Sequence, residues 1–169
     1  NIIMRKRIPL SKGYYATVDS DWYEYLNQWK WYYRDGYAVR HSEENHKNEI
    51  QMHRVVMGDP YKTNGLDVDH KDGKSLPKDM RGLNNQSNNL RWATRAQNSY
   101  NSRVSKNSTT GYKGVHWNKR DKKYIARVRC GGKIVYQGNF DTPEDAAKAY
   151  NSAAKEYFGE FVVLNLIGA

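Results

Sequence analysis

A single cysteine, Cys130, stands in 169 residues, so the chain closes no internal disulfide and builds no zinc site from several cysteines. Its five histidines are scattered, and no structural zinc is expected from them. Apolar runs are short. None approaches the roughly 18 residues that a bilayer crossing needs, and no signal peptide is visible, so no membrane partner is expected. Acids are scarce: 18 Asp and Glu stand against 28 Lys and Arg, a formal net charge of +10. That balance fits a polyanionic partner better than small acidic metabolites. The expected location is a reducing, cytoplasmic interior. The chain begins at Asn1 rather than Met, and residues upstream of it are expected.

What is plentiful is aromatic: 14 tyrosines and 5 tryptophans in a polar, basic chain, the mixture expected of a nucleic-acid binder. The elements read as α+β, in three segments. In residues 8–40, Tyr14–Val18 reads as a strand, and Ser20 as the cap of a helix over 21–28. Two strands, 29–33 and 37–40, flank the hairpin signal Arg34-Asp35-Gly36. Trp29 and Trp31 are expected in a small aromatic core. EIQMHRVVMG then reads as a short helix ending at Gly58. In residues 66–103, Asp69 and His70 end a strand, a polar loop runs from Lys71 to about Asn88, and Leu90–Ala93 forms a second strand. Thr94 caps a helix from Arg95 to about Asn101. Residues 103–109 have the composition of a linker, which sets a boundary between a unit of 1–102 and one of 110–169.

The third segment concentrates the charge. From Arg103 to Phe140 there are ten basic residues and one acid, Asp121, a net of +9. GYKGVHWNK, YIARVRC and KIVYQGNF read as three strands. DTPEDAAKAYNSAAKEYFG reads as one helix, with Thr142 as cap and Pro143 in its first turn. Alternation turns Tyr124, Ala126 and Val128 toward the small alanines of the helix, and leaves Ile125, Arg127 and Arg129 on the other face. With Lys113 and Asn118 from the first strand and Tyr136 from the third, that free face suits a DNA major groove.

GYKGVHW, YIARVR, GNFDTPEDAAKAYNSAAKEYFG and Leu164-Asn165 resemble the plant ethylene-response-factor DNA-binding domain of the AP-two family, over residues 111–166. The resemblance implies a three-stranded antiparallel sheet in the major groove, backed by one helix. It implies DNA contacts at Lys113, His116, Asn118, Arg127, Arg129 and Tyr136. Ile134 stands where the family usually has arginine, and Arg127 where the plant proteins often have glutamate. The plant target sequence therefore does not carry over.

The middle segment raises a chemical question at VDHKDG, residues 68–73. Neighbours on a strand point to opposite faces, so Asp69 and His70 address different partners. Hydrolysis of a phosphodiester needs a base near neutral pH, which histidine supplies, and a hard cation held by oxygen donors. Asp69-His70, then Asn89-Leu90-Arg91-Trp92, then Asn98 nine residues after Asn89, resemble the HNH or ββα-metal endonucleases. The resemblance implies His70 as general base, Asp69 and Asn98 as ligands of magnesium (manganese as substitute), and Asn89 as the residue that orients the histidine and braces the loop. IPLSKGYYATVD, the aromatic hairpin and Met52-His53-Arg54 are similar to the phage and bacterial homing-endonuclease branch. The loop departs from it. Ten residues, 74–83, separate Gly73 from Asn84, where the branch's compact form has four. Arg54 and Arg91 are further expected phosphate contacts, His53 a packing or phosphate-contacting residue, and Trp92 part of the core.

The expected function is a site-specific, metal-dependent DNA endonuclease of homing type, a monomer or weak dimer on double-stranded DNA, active in a bacterial or phage-infected cell. Its activity is expected to fall below about pH 6.5 as His70 protonates. The alternative is a sequence-specific DNA-binding regulator with a vestigial nuclease motif. A weaker third reading, RNA binding, lacks an exposed aromatic platform in the expected layout.

Overall fold

Lys12 and Gly13 turn the chain back at positive φ, 61° and 75°, and pair β1 (Arg5–Pro9) with β2 (Tyr15–Asp19) as an antiparallel ribbon. Strand β1 was not expected; its run of Arg, Lys and Arg hides the alternation that places Ile8 in the core. The computed structural model describes residues 4–100 and 104–168, in two compact units, 1–94 and 95–169.

In the first unit, α1 (Ser20–Leu26) begins one residue earlier than expected. Asp19 takes the N-cap position, and its carboxylate leaves the helix to accept bonds from Ser87 and Gln86. Asp35 and Gly36 have φ of 49° and 92°, the backbone of a tight hairpin turn, and join β3 (Tyr32–Arg34) to β4 (Tyr37–His41). A third strand, β5 (Glu49–Gln51), pairs with β4 where a helix was expected; α2 is shorter, Met52–Val56. The core gathers Ile8, Ala16, Val18, Leu26, Trp31, Ile50, Met52, Leu83 and Leu90. Trp31 lies in it with its indole N–H donated to Leu26 O at 2.7 Å, so the buried donor is satisfied. Trp29 is only half-buried and donates to Glu43.

Strands β6 (Asp67–His70) and β7 (Leu90–Ala93) pair antiparallel, Asp69 opposite Arg91 and His70 opposite Leu90. The chain between them is pinned to the preceding sheets. Thr17 bridges Asn84 and Tyr37 bridges Gly82. A Cβ on Gly82 would lie 2.2 Å from the Tyr37 ring, so only glycine allows that approach. A Cβ on Gly73 would lie 2.9 Å from Arg81 O. The chain therefore leaves at Gly73 and returns beside it at Arg81, which accommodates the extra length of the loop.

The second unit begins with α3 (Arg95–Tyr100), ahead of the expected boundary at 103–109. Tyr100 explains the grouping: its ring stacks on Phe158 at 4.2 Å, and its hydroxyl lies 3.1 Å from Cys130 Sγ. Asn101 and Arg103, the expected helix end and the first residue of the basic stretch, lie outside the described residues. Strands β8 (Val115–Asn118), β9 (Lys123–Cys130) and β10 (Lys133–Phe140) form an antiparallel sheet with β9 central, packed on α4 (Pro143–Phe158). Thr142 Oγ1 accepts from Asp145 N at 3.2 Å, with Pro143 in the first turn, as the sequence predicts. Ala126, Val128, Ala146, Ala147 and Ala154 are almost wholly buried, and so is Ile125 on the opposite face. Asn165 closes the unit: it accepts from Lys113 N at 2.7 Å and donates to Lys113 O at 3.0 Å.

Candidate active site and DNA-reading face

Asp69 and His70 do face apart. The Asp69 carboxylate is buried against its cross-strand neighbour Arg91, whose Nε and Nη2 reach Oδ2 at 2.8 and 2.7 Å. The His70 ring enters a different environment. The Asn85 amide oxygen lies 2.9 Å from its Nε2, a contact that favours the tautomer with the proton on Nε2 and the basic lone pair on Nδ1. The His53 ring stands edge-on at 5.0 Å, and Tyr37 lies over both imidazoles at 5.5 and 6.0 Å. Burial lowers the His70 pKa from its ordinary value, although the Asn85 bond and the charges of Asp72 and Asp69 oppose the shift. His53 falls further, through burial, His70 and Arg54. Both rings are therefore neutral near pH 7, the state a base requires.

Asn85 is the residue that the sequence reading missed. It is fully buried, and its backbone N–H donates to Thr17 O at 2.7 Å. Its side-chain Nδ2 and His53 Nδ1 are both buried without a hydrogen-bond partner. The expectation that Asn89 orients the histidine needs correction, because Asn89 is committed to the loop. It donates to Asp72 Oδ1 at 2.9 Å and to Asn84 O at 2.8 Å, and accepts from Asp72 N at 3.1 Å. Bracing and orienting fall to two asparagines four residues apart. The doubled asparagine in LNNQSN was the available signal.

Both expected phosphate-contacting arginines of this unit make internal contacts. Arg54 is buried, with Nε on Asp59 O, Nη2 on Asp59 Oδ2 and Nη1 on Leu66 O, each at 3.0 Å. Burial alone would raise the Asp59 pKa, but bonds from Asn64 N, Thr63 and Arg54 hold it at about 2. Trp92 is half-buried, 5.5 Å from the Arg54 guanidinium. Arg91 is held by Asp69.

In the second unit, Lys113, His116, Arg127 and Arg129 border one cavity of about 510 Å³. Arg127 Nε donates to Gln137 Oε1 at 2.9 Å, Arg129 is exposed, and Lys113 Nζ donates to Tyr100 O. Burial and Arg127 lower the His116 pKa. Two expected contacts behave differently. Asn118 shapes its own turn, donating to Asp121 Oδ2 at 2.7 Å and accepting from Arg120 N at 3.0 Å. Tyr136 is turned to the helix side: a bulge between Ile134 and Tyr136 resets the alternation, so Tyr136 pairs with Val128 and packs on the core. Gln137 and Ile134 take the places beside Arg127 and Arg129.

Residues 110–160 match the AP2 domain. The chain is 34% identical over 160 residues to a protein named an uncharacterized HNH endonuclease from Acanthamoeba polyphaga mimivirus, covering 92% of this chain and 77% of that one. It is also 34% identical over 100 residues to Protein 3.8 of Escherichia phage T7, covering 57% of this chain and 74% of that one. This chain belongs to the HNH endonucleases. Its C-terminal unit carries the AP2 domain that the sheet and helix describe. No solved structure matches the chain significantly.

The HNH family implies a metal ion. Among the described residues, no three His, Cys, Asp or Glu side chains gather as a metal cluster. The donors that the resemblance assigns are one carboxylate, Asp69, and one amide oxygen, Asn98, which lies half-buried on α3. Asp69 belongs to the first unit and Asn98 to the second; each is an oxygen donor of the kind that magnesium takes alongside waters and phosphate oxygens. Arg91 neutralises Asp69 here, so a metal ion at this carboxylate would have to displace the guanidinium. Among the described residues no helix is long and apolar enough to cross a membrane.

Proposed function

We propose that this HNH protein is a site-specific DNA endonuclease of homing type, with His70 as general base. The observation that carries the reading is the His70–Asn85 contact at 2.9 Å on a buried imidazole, which holds the ring's orientation and favours the tautomer with Nδ1 basic. His70 Nδ1 takes a proton from the attacking water. Asn85 holds Nε2, and Tyr37 and His53 screen the ring from bulk solvent. Asp69 and Asn98 would hold magnesium, or manganese, which neutralises charge on the scissile phosphate and on the leaving oxygen. The AP2 sheet reads double-stranded sequence through Arg127 and Arg129, while the nuclease unit engages the backbone. One such centre cuts one strand, so a monomer nicks and paired or sequential action is needed for a double-strand break. The setting is a phage- or virus-infected cell, in keeping with the relatives.

One observation favours a second reading, a DNA-binding regulator with a vestigial nuclease motif: the Asp69 carboxylate is already neutralised by Arg91. One experiment separates them. The protein and its His70→Ala variant are incubated with a supercoiled plasmid library in magnesium and in EDTA. Magnesium-dependent nicked or linear product, lost in the variant, supports the nuclease. Tight binding with no cutting in either protein supports the regulator.

A further inference from the structure

In the nuclease unit Arg54 and Arg91 both make internal ion pairs, so a duplex approaching His70 would also draw on cations elsewhere on that unit. The β1–β2 ribbon carries them. Residues 1–18 include Arg5, Arg7 and Lys12 and no acid. Ile8, Ala16 and Val18 turn one face of the ribbon into the core. The opposite face presents Arg5, Arg7 and Tyr15, all exposed, Tyr15 at 53%. Neither Arg5 nor Arg7 has an ion-pair partner among the described residues.

This face is continuous with the catalytic loop. A groove of about 310 Å³ runs from Arg7, Tyr15 and Thr17 to Leu83 and Asn84. Thr17 stands opposite Arg7, and its carbonyl receives the Asn85 N–H. Asn85 in turn holds His70. Two acids stand beside this face: Asp19, opposite Arg5, is buried and accepts from Ser87 and Gln86, and Asp79 accepts from the Tyr14 hydroxyl at 2.9 Å.

We propose that the exposed face of the β1–β2 ribbon is a second DNA contact, in which Arg5 and Arg7 grip the sugar–phosphate backbone of the duplex beside the bond to be cut. The proposal rests on the nuclease reading above. A ribbon face with two arginines and a tyrosine offers donors to phosphate oxygens, the kind of contact that positions a duplex without reading its bases. The ribbon and the AP2 sheet then bind the same polyanion through separate surfaces.

The test measures the affinity of the full chain for a random-sequence duplex in EDTA as a function of salt. Each phosphate contact contributes about 0.9 to the slope of log K against log salt. Arg5→Gln/Arg7→Gln should lower the slope by about two, with an unchanged melting temperature because both side chains are exposed. Arg5→Lys/Arg7→Lys should retain the slope. An unchanged slope in the glutamine variant overturns the ribbon contact. Magnesium-dependent plasmid cleavage, assayed separately, decides the nuclease reading: wild type that cuts nothing yet shows the two-charge difference loses the nuclease and keeps the contact.

Discussion

The Asn85 amide oxygen and His70 Nε2 stand 2.9 Å apart, and the same asparagine's backbone N–H donates to Thr17 O at 2.7 Å. The proposed base is therefore oriented by a residue anchored on the leading ribbon. Asn85→Ala should lower kcat about 100-fold, the scale expected when a catalytic group loses its alignment. Asn85→Asp puts a carboxylate against Nε2, favours the protonated ring, and should move the acid limb of the rate profile to higher pH. A pH–rate series on both variants tests this. An unmoved acid limb in Asn85→Asp would refute the positioning role.

The two buried imidazoles predict a pH-dependent stability. Their folded pKa values lie below the ordinary ~6.5, chiefly through burial. Above about pH 6.5 both folded and unfolded chains leave them neutral, and their contribution is fully present. As pH falls further, the unfolded chain takes up protons that the folded chain refuses, and stability is lost through the folded pKa values. The melting temperature should fall from pH 7 to pH 5, and less steeply in His53→Gln. The acid limb of activity should also lie below about pH 6.5 rather than at it. Melting curves and initial rates across this range check both.

Arg91 is a second point of leverage. It covers a carboxylate that is only 6% exposed, so Arg91→Ala removes the guanidinium that neutralises a buried charge. A loss of about 3–5 kcal/mol is the usual cost of breaking such a pair. A divalent ion should then replace the missing cation. The manganese-induced rise in melting temperature should be larger in Arg91→Ala than in wild type, a comparison made by thermal shift with and without metal. An equal rise would count against Asp69 as a metal ligand.

On the AP2 unit, Arg127→Ala and Arg129→Ala should relax or weaken site preference while sparing metal-dependent cutting of nonspecific DNA. Tyr136→Ala should instead lower the melting temperature, because this side chain packs on the core side. Selection from a random-insert library, run beside melting curves, distinguishes the two classes.

What the sequence made legible was local. Asp35-Gly36 and Thr142-Pro143 specify a turn and a helix start from neighbouring residues alone, and both form as read. The alanine stripe of α4 likewise announced its sheet partner. The misreadings involve contacts distant in sequence or a local shift of register. Asn85 and Asn89 are chemically identical, and only the path of a loop pinned to Thr17 and Tyr37 assigns one to the histidine and the other to Asp72. Arg91 reads as a free cation until strand pairing sets it opposite Asp69. One inserted residue in β10 moved Tyr136 to the other face, and no composition signal marks a bulge of that kind. Strand β1 was hidden for the opposite reason, since its charges serve a surface rather than a core.

The pinch between Gly73 and Arg81 makes the excursion between them a detour that begins and ends at nearly one point. The excursion is nonetheless held to the rest of the unit: Asp79 accepts from the Tyr14 hydroxyl at 2.9 Å, a Cβ on Gly36 would lie 2.7 Å from Lys78 O, and Leu76 lines the groove beside Arg7. The added residues thus form a wall against the leading ribbon rather than a loose flap, and an insertion among residues 75–79 would press on the ribbon face before it reached His70.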